Sequence, residues 1–259
     1  MFTEEKNGLK LLRFDNFKTL PGVTCAVSTR QGGVSSGPFA GLNLGTTSGD
    51  KPEAAAKNLA LFCGALGADA AKTAFMRQRH TANVAVVEAG GQRVENTDAL
   101  VTAAPGVPLL TLSADCALTV FYDVQHKALA VAHSGWRGAL LNVYGSVLAV
   151  MRMRFGTAAE NVTAGVSPMI SVANYPVQGD FMEKLAAFYP GPERLKFLMA
   201  RDGKHFFNLR ELLRFQLESL GVKRYEFMHL CTHERKDLFF SYRRDGAATG
   251  HFGLAAMLK

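Results

Sequence analysis

Short apolar runs that end at turn-forming residues recur along the chain and predict β-strands. Each is six or seven residues long, and most are rich in the β-branched and aromatic side chains that pack well on a pleated sheet. The predicted strands cover residues 23–29, 83–88, 107–113, 117–123, 127–133, 161–167, 225–230 and 238–243.

Four longer segments place apolar residues three or four positions apart, the spacing that gives a helix one apolar face. They cover residues 52–66, 138–155, 179–189 and 209–220. Asn208 precedes the last segment and is predicted to cap it, with Glu211 three residues further on, and Gly221 is predicted to end it.

The predicted strands and helices follow one another without a regular βαβ order, and several strands are adjacent in sequence. This order favours an α+β fold over a Rossmann-like one. We therefore predict a single domain over residues 1–259, built of mixed β-sheets flanked by helices.

Composition and charge narrow the class of protein. The chain has 259 residues, of which 48% are hydrophobic and 20% charged, so it can bury a sizeable core. Its formal net charge of +7 favours an anionic ligand, but the basic residues are scattered and predict no nucleic-acid partner. We expect a cytoplasmic monomer or weak homo-oligomer, because the charged N-terminal region and the interrupted apolar runs indicate neither a signal peptide nor a membrane helix. The four cysteines show no CxxC spacing and are predicted to be reduced thiols.

Three residues that ligate metals lie at the ends of predicted strands. His133 ends an apolar run in VAHSGWRG, Cys116 lies between two strands, and His80 precedes another. Two imidazoles and one thiolate form a catalytic type of zinc site that leaves a fourth position for water or substrate. Spacing alone also allows the alternative that each histidine is a hydrogen-bonded structural residue and that Cys116 belongs to the core.

Four longer motifs resemble one known family. They are STRQGGVSSGPFAGLNLG (28–45), TDALVTAAPGVPLLTLSADC (97–116), HSGWRG (133–138) and FFSYRRDGAATG (239–250). From about residue 20 onward the chain is similar to the family variously called laccase-domain protein, polyphenol oxidase, multifunctional purine nucleoside phosphorylase and peptidoglycan editing factor. The resemblance implies that family's cysteine-hydrolase-like α+β fold. It also implies that His80, Cys116 and His133 bind a metal, with zinc as the usual ion and copper as an alternative.

The resemblance and the local chemistry together give further candidates for the site. Asp115 is a candidate proton shuttle and Arg137 a second catalytic candidate. Five residues are predicted to bind substrate, the arginines because a guanidinium matches phosphate geometry: Arg30, Asn43, Gln78, Arg243 and Arg244. For Arg243 and Arg244, a structural or solvated ion pair is the alternative.

The chain also departs from the family pattern at four positions. Arg79 precedes the first histidine where the family usually reads QVHG, and His233 stands where a tyrosine is common. Ala173 and Asn174 replace a pair of cysteines that the family commonly carries before a tyrosine. No mechanism that uses those two cysteines operates in this protein.

The resemblance implies a zinc-dependent phosphorylase that cleaves adenosine, inosine, guanosine or methylthioadenosine with phosphate, and deaminates adenosine as a side activity. An amidase that corrects UDP-muramoyl peptidoglycan precursors is the first alternative, and a binding protein without turnover is another. Copper-dependent polyphenol oxidation is disfavoured, because the chain has seven histidines and no His-x-His pair. A metal-free hydrolase with Cys116 as nucleophile and His133 as base remains open, although it leaves His80 without a role.

Overall fold

A computed structural model of the chain describes residues 1–46 and 49–259. In chain order its strands are β1 Phe2–Lys6, β2 Leu9–Arg13, β3 Val23–Ser28, β4 Ala74–Met76, β5 Val84–Val86, β6 Arg93–Val94, β7 Ala99–Thr102, β8 Leu109–Ser113, β9 Ala117–Asp123, β10 Ala128–Ser134, β11 Val162–Val166, β12 Pro176–Val177, β13 Leu198–Arg201, β14 Lys204–Phe207, β15 Arg224–Phe227 and β16 Phe252–Leu258. Its α-helices are α1 Pro52–Leu66, α2 Trp136–Leu140, α3 Val143–Phe155, α4 Asp180–Phe188, α5 Leu209–Ser219 and α6 Tyr242–Asp245.

Most strands belong to two mixed sheets. The larger has the order β1-β2-β3-β16-β8-β4-β6, and the second has the order β15-β11-β9-β10-β7-β5. Most neighbours are antiparallel, whereas β4 runs parallel to β8 and β6, β5 to β7, and β15 to β11. A small third sheet contains β12, β14 and β13. These mixed sheets and the surrounding helices confirm the predicted α+β fold.

Hydrophobic packing arranges the elements in layers. Val27 and Leu254 of the larger sheet share one buried cluster with Val131 of the second sheet, so the two sheets pack against each other. The outer face of the second sheet is covered by α3 and α5, and the outer face of the larger sheet by α1. Burial on both faces explains why β9 and β10 are buried along their whole length and read as continuous apolar runs.

Two predicted elements differ in the structure. The helix predicted over residues 138–155 begins at Trp136 and is divided into α2 and α3 at Asn142, which has a φ of 56° and accepts a hydrogen bond from Gly145 N with its side chain. Asparagine tolerates this left-handed conformation and caps helices well, so it ends one helix and starts the next. The strand predicted over residues 238–243 is wrong. Its apolar residues Phe239 and Phe240 are buried in a loop that leads into α6.

Other predictions agree closely with the structure. The predicted bounds of β9 and α1 are those observed, and Asn208 caps α5 by accepting a hydrogen bond from Glu211 N. No predicted strand covers β16, although this strand lies in the larger sheet between β3 and β8. Eight shorter or more peripheral strands were also not predicted: β1, β2, β4, β6, β7, β12, β13 and β14. Within residues 1–46 and 49–259, no helix combines the length and apolar character needed to span a bilayer.

Candidate metal centre

Three ligating side chains from separate parts of the chain meet at one end of the two large sheets. His80 lies in the loop after β4, Cys116 in the turn between β8 and β9, and His133 near the end of β10. Their ligand atoms all lie within 4.8 Å of one another. The structure therefore brings together the three residues that the resemblance implies as metal ligands.

Gly135 allows the backbone that follows His133 to pass directly against the other two ligands. A Cβ at this position would lie 2.8 Å from Sγ of Cys116 and 2.8 Å from Cδ2 of His80. Both distances are far shorter than the roughly 3.5–4.0 Å of a normal contact. The first glycine of HSGWRG is thus required by the close packing of the ligands.

Asp98 is the residue that organises the site. Its carboxylate accepts hydrogen bonds from the backbone N–H groups of Arg79, His80 and Thr81 at 3.0, 3.0 and 2.7 Å, and from the Thr81 hydroxyl at 2.8 Å. Oδ1 also lies 2.9 Å from Nδ1 of His133. One buried carboxylate thus holds the His80 loop in place, including the positive φ of 61° at His80, and orients His133.

Asp98, Cys116 and His133 shift one another's pKa values toward their charged forms. Burial raises the pKa of Asp98, but the hydrogen bonds from His133 and the loop N–H groups outweigh it and bring the pKa to about 2. Burial also raises the pKa of the Cys116 thiol, whereas the adjacent His133 and His80 lower it to about 6. Burial lowers the pKa of His133, and Cys116 and Asp98 raise it to about 9. Cys116 therefore favours the thiolate at neutral pH, which is the form that binds metals.

These residues fit a metal of the zinc type. Bond lengths of about 2.3 Å to sulfur and about 2.05 Å to nitrogen, at a tetrahedral angle, place the two ligand atoms about 3.6 Å apart. Sγ of Cys116 and Nε2 of His80 lie 4.0 Å apart. Because Nδ1 of His133 faces Asp98, its Nε2 is left for a metal, as in the carboxylate–histidine pairs of zinc sites.

Asp115 lies next to Cys116 in sequence but directs its carboxylate elsewhere. Oδ1 accepts a hydrogen bond from the Thr232 hydroxyl at 2.6 Å, and Oδ2 accepts from the Ser241 hydroxyl at 3.0 Å and from Arg243 N at 2.7 Å. Burial raises the pKa of this carboxyl despite those bonds. The contacts show that Asp115 anchors two C-terminal loops beside the site, and its role as a proton shuttle stays a prediction.

The predicted arginines differ in whether their guanidinium groups are already hydrogen-bonded to other groups of the protein. Arg244 donates to the carbonyls of Thr232, His233 and Phe239 and pairs with Asp245, so its guanidinium holds the surrounding loop together.

Arg30 also supports a loop, since it donates to the carbonyls of Ala40 and Lys236 and lies over the ring of Phe240. Arg243 and Arg137 are exposed and lie over the rings of Tyr175 and Trp136, at 5.3 and 4.5 Å from the ring centroids.

The two predicted amide residues bind the protein's own backbone. Asn43 is fully buried and bonds to Gly45, Asp50 and the N–H of His251. Gln78 forms a paired hydrogen bond with the backbone N–H and C=O of Leu112 in β8, at 2.9 and 2.8 Å. These contacts give both residues a structural role, and their contact with substrate stays a prediction.

The departures from the family pattern lie around the site. Arg79 is exposed and only its backbone N–H contacts Asp98. Asn174 donates to Glu234 at 2.6 Å and lies 3.6 Å from Sγ of Cys231, while the carbonyl of Ala173 accepts from Arg201. His233 is partly buried, and its carbonyl accepts from Arg244.

Sequence reasoning missed three residues near the centre. The contact of Asp98 with His133 was not predicted, because the two residues are 35 positions apart and no spacing links them. His251 has a buried Nδ1 without a partner among the described residues, and burial, together with His133, lowers its pKa to about 4. Burial and the nearby Cys116 raise the pKa of the Tyr175 hydroxyl.

Residues 24–259 match the sequence model of the family described as multi-copper polyphenol oxidoreductase laccase. The chain belongs to this family. The resemblance carried by the four motifs is thereby confirmed.

Relatives of known name or structure extend along nearly the whole chain. A purine nucleoside phosphorylase of Bacteroides thetaiotaomicron is 31% identical over 252 residues, which is 93% of both chains. One of Deinococcus radiodurans is 36% identical and covers 94% of this chain and 90% of its own. The crystal structure of YlmD from Geobacillus stearothermophilus is similar with a TM-score of 0.91 at 26% identity, over 100% of this chain and 98% of that one.

Proposed function

We propose that this protein is a metal-dependent purine nucleoside phosphorylase whose zinc ion is held by His80, Cys116 and His133. The observation that carries the proposal is the three-residue cluster, with its ligand atoms within 4.8 Å and with Asp98 orienting His133. The names of the relatives from Bacteroides thetaiotaomicron and Deinococcus radiodurans support purine nucleosides as the substrate class.

The side chains around the cluster have separate tasks in this reaction. An oxygen of phosphate forms a bond to C1′ of the ribose, the bond from C1′ to N9 of the purine breaks, and the purine takes up a proton. Arg243 and Arg137 are the exposed guanidiniums that suit the phosphate, because Arg30 and Arg244 are occupied by carbonyl groups.

The same centre suits deamination of adenosine as a side activity. When bound, zinc supplies a water molecule whose pKa is lowered to about 7 and polarises an oxygen or nitrogen of the substrate. Asp98 keeps the lone pair of His133 Nε2 directed at the cluster, and Gly135 keeps the ligands close-packed. Neither residue needs to contact the substrate for this role.

Product analysis by mass spectrometry tests this function. Zinc-loaded protein is incubated with adenosine and phosphate, with Cys116→Ala and the matched control Cys63→Ala, which alters a buried cysteine on α1 outside the cluster. Adenine and ribose 1-phosphate should form with the wild type and with Cys63→Ala but not with Cys116→Ala. Equal product with Cys116→Ala, or none with the wild type, contradicts the proposal.

A metal-free cysteine hydrolase is the second candidate, because the pKa values favour a Cys116 thiolate beside a protonated His133. A chelator separates the two schemes. Removal of the metal abolishes a zinc enzyme and spares a cysteine–histidine pair, whereas a thiol alkylator inactivates both.

A further inference from the structure

A cavity lies at the far end of the larger sheet from the metal centre. It has a volume of about 320 Å³, which falls in the size range of small-molecule sites. Phe252 at one end of β16 pairs with Ser113, close to Cys116, whereas Leu258 at the other end pairs with Val23, which lines the cavity. A strand of this length spans about 20 Å. The cavity is therefore separate from the metal centre.

The cavity forms where two neighbouring strands part. β2 and β3 pair only at Leu11 and Leu12, and Arg13 lies beyond the last pair. Its guanidinium crosses the gap to donate to the carbonyl of Cys25 at 2.6 Å, and it pairs with Glu4 at 2.7 Å. The gap is held open by an arginine instead of being closed by sheet hydrogen bonds.

The charge of this cavity favours an anion. Lys6, Lys18 and Lys259 line it together with Arg13, whose charge is paired with Glu4, and no aspartate or glutamate is among its lining residues in the part of the chain that the structure describes. Lys6 and Lys18 are exposed and form no ion pair with any described residue, and Nζ of Lys18 lies over the ring of Phe2, 5.6 Å from its centroid. Lysines without a carboxylate partner are available to bind a phosphate or sulfonate.

Three phenylalanines contribute to the rest of the lining, together with aliphatic and small residues. Phe2, Phe14, Phe17, Val23 and Leu66 line the cavity beside the basic residues. Phe2 is 37% exposed at the mouth, whereas Phe14 and Phe17 are buried deeper. Aromatic walls favour a flat ring, since ring pairs add to the free energy gained from burial.

We propose that this cavity is a second binding site, for a phosphate ester that carries a flat aromatic group. The ring packs against Phe2 at the mouth of the cavity, and the phosphate binds Lys6 and Lys18. The site needs no residue of the metal centre.

Calorimetric titration of the full-length protein tests the proposal with three probes: 1-naphthyl phosphate, 1-naphthol and inorganic phosphate. The wild type should bind 1-naphthyl phosphate at least tenfold more tightly than either single-feature probe. The double variant Lys6→Glu/Lys18→Glu should lose at least tenfold in affinity, because it reverses the charge of both lysines that have no carboxylate partner. Lys196→Glu is the charge-matched control at an exposed lysine outside the cavity, and it should bind as the wild type does.

The aromatic wall is tested separately by Phe2→Ala, which should weaken 1-naphthyl phosphate at least threefold more than it weakens inorganic phosphate, since the ring of Phe2 also contacts Lys18. If the double variant loses its fold, as judged by its melting temperature, the single variant Lys18→Gln replaces it, with an expected loss of at least threefold. The proposal is overturned if the wild type does not prefer 1-naphthyl phosphate, or if it binds this probe only as tightly as the charge-reversed variant does. The second result would assign the binding to another site, such as the metal centre.

Discussion

Replacing Asp98 with asparagine tests the idea that one carboxylate organises the metal centre. The change keeps the shape of the side chain and removes its charge. In the structure Oδ1 accepts from His80 N and from Nδ1 of His133, and Oδ2 accepts from Arg79 N and from the N–H and hydroxyl of Thr81.

An asparagine amide has one acceptor oxygen and one NH₂ donor group. In either orientation, the NH₂ group therefore faces donors that a carboxylate oxygen accepted from. If the oxygen of the new amide faces His133, its NH₂ group meets two backbone N–H donors of the loop. If the amide is reversed, the NH₂ faces Nδ1 of His133 and moves the histidine proton to Nε2, where it blocks the metal. Leaving a buried donor without an acceptor costs about 1–3 kcal/mol, so Asp98→Asn should lower the free energy of unfolding by about 3 kcal/mol.

The effect on metal binding is the sharper measurement. Loss of a carboxylate that orients a metal-binding histidine costs about 10–100-fold in metal affinity, or about 1.4–2.7 kcal/mol. Competition of the protein with a chromophoric chelator for zinc measures this change, and urea unfolding of the metal-free protein measures stability. Zinc affinity within twofold of the wild type would refute the reasoning.

Asp123→Asn is the matched control for this experiment. Asp123 is also buried, lies 2.8 Å from Nδ1 of His126 and accepts from two backbone N–H groups, but it lies at the other end of β9 from Cys116. It should reduce stability and leave zinc affinity unchanged. A general loss of packing would instead reduce zinc affinity in both variants.

Three further predictions follow from the site. Gly135→Ala should reduce zinc affinity and activity at least tenfold, because its Cβ meets Cys116, and unchanged zinc affinity would contradict the packing argument. Gly64→Ala, on the exposed face of α1, should instead raise stability by about 1 kcal/mol. In the metal-free protein, the rate of Cys116 alkylation should rise with pH through about 6 as the thiolate forms, and zinc should block it; a midpoint near 9, that of an ordinary thiol, would argue against the two imidazoles. Arg243→Gln should raise the KM for phosphate at least tenfold. Arg244→Gln should mainly lower the melting temperature, because it leaves three carbonyls without their donor. Steady-state kinetics and thermal unfolding of both variants would show the reverse pattern if the two roles were exchanged.

Local sequence determined the elements whose stability depends on their own residues. The buried face of α1 is apolar apart from Asn58, and α5 has its own cap at Asn208, so both helices were predictable. β9 was equally clear, because a strand buried on both faces is apolar throughout. The candidate ligands were also visible, since His80, Cys116 and His133 lie within or between recognisable motifs.

Tertiary structure decided what those residues contact. β16 is an apolar run, FGLAAML, that contains no β-branched residue, and it becomes a strand because β3 and β8 supply hydrogen bonds on both sides. Gln78 and Arg244 resemble substrate-binding residues in sequence, but neighbouring backbone carbonyls take up their donors.

The metal centre also depends partly on the sequence and partly on the tertiary structure. The sequence by itself determined which side chains are able to bind a metal, because that depends on their chemistry. Whether they meet, and which group orients them, was decided by the fold, since Asp98 reaches His133 across 35 residues through adjacent strands. Hydrogen bonds and ionic contacts depend on distance in space, and the packing of the two sheets determines that distance.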